Sequence, residues 1–224
     1  MITAPVLAVD GPGGAGKGTL CRAVAERLGW HLLDSGALYR LVAAAAERAG
    51  IELTDEPGLA ALARDLPVRF QGERVWLGEE DVSEEIRSEA CGNRASQVAA
   101  LPGVRTALVG LQREFRRLPG LVADGRDMGT VIFPDAELKV FLTASAEERA
   151  RRRYNQLKDK GFDVNLAALS AEVAARDRRD AERAVAPLRP ATDAVVVDST
   201  ALDIDAVIAR VLEEMARRGL LPDA

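Results

Sequence analysis

The sequence predicts an α/β fold, a parallel sheet flanked by helices and carrying a small antiparallel β insertion. Three observations lead there. Short apolar runs such as Val6–Val9, Leu121–Ala123 and Leu138–Leu142 read as buried parallel strands, and helix-patterned segments alternate with them. Between about Leu66 and Val82 the pattern breaks into strand-sized pieces, Val68–Phe70, Val75–Leu77 and Glu80–Val82, with Gly72 and Gly78 as turn residues. A glycine-rich turn, Gly11–Gly16, separates the first strand from the first helix. At 224 residues, 48% apolar and 29% charged, the chain suits one domain with an inserted subdomain, or two small ones, around a real core.

The first strand, Val6–Asp10, runs into the glycine turn, and Leu20, Val24 and Leu28 mark one face of the helix beyond it. Trp30–Leu33 is a second short strand. It ends at Asp34-Ser35, either of which can cap a helix through Tyr39, Leu41, Val42 and Ala45 that Gly50 stops. After the β insertion come helical pieces through Ile86, through Val98 and Leu101, and over Val104–Phe115. The sheet resumes with Leu121–Asp124 and Leu138–Leu142. A helix from about Ala146 is broken by Gly161, and another from about Leu166 is closed by Pro187 and Pro190. Ala194–Asp198 is the last strand. Asp203 then caps a helix whose Ile204, Val207, Ile208, Val211, Leu212 and Met215 form an amphipathic stripe.

The turn, Gly11-Pro12-Gly13-Gly14-Ala15-Gly16-Lys17-Gly18-Thr19, has the chemistry of a phosphate-binding P-loop. Its glycines let backbone N–H groups converge on phosphate oxygens, and the helix N-terminus adds a positive dipole end. Lys17 supplies a point charge for the β- and γ-phosphates, and Thr19 a hydroxyl beside them. Gly18 stands where the general pattern has Ser or Thr. The resulting Lys-Gly-Thr resembles the loop of nucleoside-monophosphate kinases.

Charge narrows the partners. A net charge of −5 argues against general nucleic-acid binding, whose footprint is basic. Yet Arg149, Arg151, Arg152 and Arg153 cluster, as do Arg176, Arg178, Arg179 and Arg183, and local basic groups on an acidic protein suit small polyanions. No segment reaches transmembrane length, and Met1–Asp10 lacks the form of a signal peptide, so the expected compartment is the cytoplasm. Cys21 and Cys91 have no metal-like spacing. His31, the single histidine, reads as structural, which excludes Ser-His-Asp hydrolysis and a histidine metal site.

Four constellations can carry chemistry. Ser35 at a helix start, with Arg40 one turn on, can hold an anion; the plainer reading is a helix cap and a surface arginine. Asp124 ends a buried strand, where a carboxylate can act on Mg²⁺ or its bound water, and Gly125 and Gly129 let the Arg126-Asp127 loop approach a ligand closely. Arg149, Arg152 and Arg153 share a helix face; such a face either stays solvated or closes over phosphates. Arg176, Asp180 and Arg183 also share a face, in an order that stabilises a helix poorly but suits a sugar hydroxyl beside a phosphate.

Together these motifs resemble the bacterial cytidylate kinase family over nearly the whole chain. The resemblance rests on Asp10–Leu20, Leu33–Arg40, Ala95–Ala99, Ala123–Val131 and Arg183–Leu188. Asp-Gly-Arg-Asp-Met-Gly-Thr at 124–130 is its most specific part. It implies a P-loop nucleoside-monophosphate kinase fold over 1–224, a monophosphate-binding region at 35–118 enlarged by the insertion at about 66–104, and a lid at 146–185. It implies transfer of the γ-phosphoryl group of ATP to CMP or dCMP with Mg²⁺ held at Thr19 and, through water, Asp124. Ser96, Arg105 and Asp127 would face the cytosine, whose amino group donates while its O2 and N3 accept. Ser35, Arg40, Arg126 and Arg183 would hold the α-phosphate region, and Arg176 and Asp180 the sugar. Lys17, Arg126, Arg183 and the lid residues Arg149, Arg152 and Arg153 would act on the transferring group. The expected state is a monomer. Rival readings are a kinase for UMP, AMP or shikimate, and a nucleotide-binding P-loop switch.

Overall fold

The structure is a computed structural model that describes residues 3–71, 74–159 and 161–221, so the turn expected at Gly72 lies outside the described residues. In chain order its elements are β1 (Val6–Asp10), α1 (Lys17–Leu28), β2 (His31–Asp34), α2 (Ser35–Ala49), α3 (Glu56–Arg64), β3 (Val68–Gln71), β4 (Arg74–Leu77), β5 (Glu80–Asp81), α4 (Glu89–Val98), α5 (Pro102–Arg113), β6 (Leu121–Gly125), β7 (Leu138–Thr143), α6 (Ala146–Asp159), α7 (Leu166–Glu182), β8 (Val195–Asp198) and α8 (Ile204–Arg217). They fall into two compact units, Asp34–Glu114 and the remainder of the chain.

The larger unit is built on a five-stranded sheet of order β2-β6-β1-β7-β8. β1 pairs in parallel with both β6 and β7, and β7 with β8. A central strand contacts neighbours on every side, which is why Val6–Val9 is continuously apolar and wholly buried. Leu7 and Val9 join Leu20 and Val24 of α1 and Val211 and Met215 of α8 in one core. Asp203 caps α8 by accepting from Ala206 N at 2.8 Å. The β1–β6 register sets Val9 opposite Asp124 and Asp10 opposite Gly125. It therefore delivers the glycine turn and the Arg126-Asp127 loop side by side at the carboxyl ends of the strands, where open α/β sheets bind ligands. β2 is an edge strand, and His31 Nε2 lies 3.0 Å from the Leu118 carbonyl.

The smaller unit holds α2 to α5 and an antiparallel sheet of order β3-β4-β5. Asp34, not Ser35, caps α2, accepting from Ala37 N at 3.0 Å. Leu38, Leu41, Leu59 and Leu108 are fully buried here. The helix expected through Leu101 stops at Val98: Leu101 precedes Pro102, which disfavours helical dihedrals, and it adopts φ −82°, ψ 118°. The sequence pattern predicts no element over Glu56–Arg64, where Pro57-Gly58 looks like loop chemistry. Asp55 caps that helix on Gly58 N at 3.0 Å, and Pro57 stands in its first turn, where a missing N–H costs nothing.

Candidate active site

The glycine turn forms because its backbone admits no side chain at its start. Gly11 has φ +148°, and a Cβ there would lie 1.9 Å from the Leu142 carbonyl oxygen. Gly16, at φ +97°, begins α1 without any side-chain cap, leaving the first-turn N–H groups to an anion. Lys17 is buried, donates to the Pro12 carbonyl at 3.0 Å and stands 3.8 Å from Asp124. Burial, then the neighbouring Arg126, lowers its pKa to about 8, with Asp124 opposing. Thr19 is exposed on the first turn of α1, and Asp124 Oδ2 lies 3.6 Å from where a Cβ on Gly18 would sit.

Around this loop the chain gathers a paired guanidinium cluster. Arg126 Nε donates to Asp180 Oδ2 at 2.9 Å, and Asp180 is 4% exposed. Burial works against the Arg126 charge, but Asp180 and then Asp124 and Asp10 outweigh it, so its pKa is raised. Burial likewise opposes the Asp180 charge, yet Arg126, Arg176 and Arg183 hold that pKa below the usual carboxylate range. Arg183 Nε and Leu188 N both reach the Asp180 carbonyl, at 3.3 and 2.8 Å, which folds 183–188 back on the end of α7. Within that loop Ala186 adopts φ +51°, a strained value for alanine. The guanidinium groups of Arg126 and Arg176 come within 3.5 and 3.8 Å of where a Cβ on Gly13 would lie, so they border the P-loop.

The α6 arginines do not act as one face. Arg149 is buried, forms a bidentate pair with Asp177 at 2.6 and 2.9 Å, and donates to the Gly13 carbonyl at 3.2 Å. Arg152 pairs with Glu148 and reaches the Ala15 carbonyl at 3.4 Å beside Ser199, whose buried hydroxyl donates to the same carbonyl at 3.1 Å. Arg153 turns to Gln156. Asp127 is buried at the end of the strand loop and is followed by one wide helical turn, Met128–Ile132, in which Ile132 N and Phe133 N bond five residues back.

In the smaller unit Ser35 is buried at the start of α2. Arg40 donates to the Ile86 and Ser88 carbonyls, which lie just before α4. Arg105 is buried, donates to the Ala99 carbonyl at 3.1 Å and lies 5.7 Å from the Tyr39 ring centroid. Ser96 Oγ is buried with no hydrogen-bond partner among the described residues. Asp10, Asp177 and Ser199 had no assigned role from sequence. Their partners lie far away along the chain, and only the acidic or hydroxyl residue type could have flagged them.

A glycine loop between a buried strand and a helix, a buried lysine within it and a carboxylate on the adjacent strand define a P-loop phosphate-binding protein. The cytidylate kinase family model matches residues 7–217, and the chain belongs to that family. It is 60% identical to a cytidylate kinase of Pseudomonas savastanoi pv. phaseolicola, over 98% of each chain. It is 61% identical to one of Aeromonas hydrophila over 93% of each, and 59% identical to one of Pseudomonas aeruginosa over 96% of each.

Proposed function

We propose that this chain transfers the γ-phosphoryl group of ATP to CMP or dCMP, giving ADP and CDP or dCDP. The observation that carries the reading is a P-loop with buried Lys17, bordered by Arg126 and Arg176, in a member of the cytidylate kinase family. Phosphoryl transfer asks a protein for alignment, charge neutralisation and exclusion of water, with little covalent chemistry. The loop N–H groups and Lys17 hold the ATP phosphates. Arg126 and Arg183 offset charge on the acceptor phosphate and the transferring group, held by Asp180 so that little reorganisation is needed. Arg149 and Arg152 grip loop carbonyls from behind, which keeps the N–H groups turned toward the phosphates. For Arg149 to reach the phosphoryl group it would exchange Asp177 for phosphate oxygens. Arg153 donates to Gln156 one turn further along α6, and we assign it to lid closure.

The acceptor roles follow the chemistry of cytosine. Asp127 accepts from the N4 amino group, while Ser96 and Arg105 donate to O2 and N3. Ser35 and Arg40 serve the α-phosphate, and Arg176 and Asp180 the sugar. The monophosphate-binding region is then 35–118, most of it within the Asp34–Glu114 unit, and 146–185 is the lid. A divalent cation fits the donors present. Among the described residues no group of three metal-ligating side chains occurs, and Mg²⁺ in such sites keeps waters and leans on substrate phosphates. Thr19 directly, and Asp124 through water, would hold it, and when bound it neutralises β- and γ-phosphate charge. No described helix is long and apolar enough to cross a membrane; we read the protein as a cytoplasmic monomer without nucleic-acid partners.

Incubation with ATP and CMP, with nucleotides separated by anion-exchange chromatography, tests the reading. Equal amounts of CDP and ADP are expected. ADP release at the same rate without acceptor, and no CDP, would instead identify a nucleotide switch.

A further inference from the structure

Asp10 lies outside the residues that contact nucleotide in the proposal above, yet it is among the most constrained side chains in the larger unit. It ends β1 immediately before Gly11 and is 4% exposed. Its two carboxylate oxygens each accept one backbone N–H from a segment 118 or 119 positions away, Met128 N at 2.7 Å and Gly129 N at 2.8 Å. Those amides directly follow Asp127, itself 2% exposed, at φ −149° and ψ 24°. Beyond them the chain is fastened by the wide turn, through Ile132 N to the Asp127 carbonyl at 3.2 Å and Phe133 N to the Met128 carbonyl at 2.7 Å. Asp127 therefore sits between a strand register, Asp10 opposite Gly125, and a loop pinned by a carboxylate.

We infer that Asp10 is a positioning residue for base selection, its carboxylate setting the place of Asp127 relative to the P-loop by holding the Met128 and Gly129 amides. The inference rests on the proposed role of Asp127 as the acceptor for the cytosine amino group. Of side chains this size, only a carboxylate takes two separate N–H groups on two oxygens. Asparagine has one acceptor oxygen and would turn an NH₂ toward the second amide, so that one N–H is left facing a donor. Keeping a carboxylate here is costly: burial pushes its pKa up to about 6 against the pull of the two amides, and Asp127 adds to the push. The groups of opposite sign near it are Lys17 of α1 and Arg126 beyond β6. The same residue thus ties the loop that grips the donor to the loop that selects the acceptor.

The test is steady-state kinetics of Asp10→Asn, Asp127→Ala and the double variant, with CMP and UMP as acceptors and ATP varied separately. Asp10→Asn should lower kcat/KM for CMP about tenfold or more, change that for UMP less than about threefold, and leave KM for ATP within about threefold. Asp127→Ala should lower the CMP:UMP ratio, and adding Asp10→Asn to it should lower the ratio no further, since both act through one contact. If Asp127→Ala keeps the ratio, the base-reading assignment of Asp127 fails and this inference with it. If Asp127→Ala loses the ratio while Asp10→Asn lowers CMP and UMP equally, or raises the ATP KM in step, Asp10 is only structural and the inference alone is overturned. Should Asp10→Asn not fold, Asp10→Ser is scored in the same way; failure of both to fold makes Asp10 a folding residue and also overturns it.

Discussion

Replacing Asp180 by asparagine tests how the guanidinium cluster is held. The substitution is nearly isosteric and keeps one acceptor for Arg126 Nε, now 2.9 Å from Oδ2, but removes the single negative charge that Arg126, Arg176 and Arg183 share. Breaking a buried ion pair costs about 3–5 kcal/mol when the partner is left uncompensated. Here the Arg126 side chain is 19% exposed, and Asp124 and Asp10 also favour its charge, so the cost falls below that range, to roughly 2–3 kcal/mol. For a chain of 224 residues that is a fall in Tm of about 5–10 °C. Sulfate should restore more of the Tm in the variant than it adds to wild type, because an anion replaces the missing charge. The pH dependence has a definite sign. Asp180 has a lowered pKa in the fold, so its stabilisation is present above its unfolded value of about 3.9 and is lost as pH falls through the folded one. The Tm gap between wild type and variant should therefore close in acid. A gap under about 2 °C at neutral pH, with no larger response to anions, would refute the idea that Asp180 neutralises the cluster.

Further outcomes follow from the P-loop. Lys17→Ala should lower kcat by about 10²–10³-fold or more while the far-ultraviolet dichroism stays native, and an unchanged kcat would remove Lys17 from the chemistry. Because the Lys17 pKa in the free protein is lowered to about 8 and phosphates favour the ammonium, ATP binding in the absence of metal should weaken above that pH and take up a proton. Calorimetry in buffers of different ionisation enthalpy measures it, and a pH-independent affinity from 7 to about 9.5 would contradict it. Gly11→Ala should cripple ATP binding and lower Tm, since its Cβ would overlap the Leu142 carbonyl at 1.9 Å; Gly16→Ala meets no atom within 4 Å and should cost only about 1–2 kcal/mol for its positive φ.

What could be read from the chain and what could not divide along sequence distance. The P-loop, the capped helices and the strand ending at Asp124 are local patterns, each set by neighbours a few residues away, and the structure has them where the patterns fall. α3 escaped because Pro57-Gly58 reads as a turn unless Asp55 is known to cap Gly58. The arginines of α6 were legible as a group but not in their separate engagements. Helical spacing puts Arg149, Arg152 and Arg153 together, whereas Asp177 on α7 and the loop carbonyls of Gly13 and Ala15 decide where each points. Asp10 illustrates the limit best. Its residue type and place before Gly11 were plain, but its partners 128 and 129 meet it only once β1 and β6 lie in register.

The measurement that bears most directly on the central claim is an acceptor panel: kcat/KM for CMP, dCMP, UMP, AMP and shikimate at saturating ATP, read as coupled ADP release. CMP or dCMP should lead the panel. Any of the other acceptors exceeding both cytidine nucleotides would contradict the assignment of cytosine to the Asp127 loop and of this chain to phosphoryl transfer onto CMP.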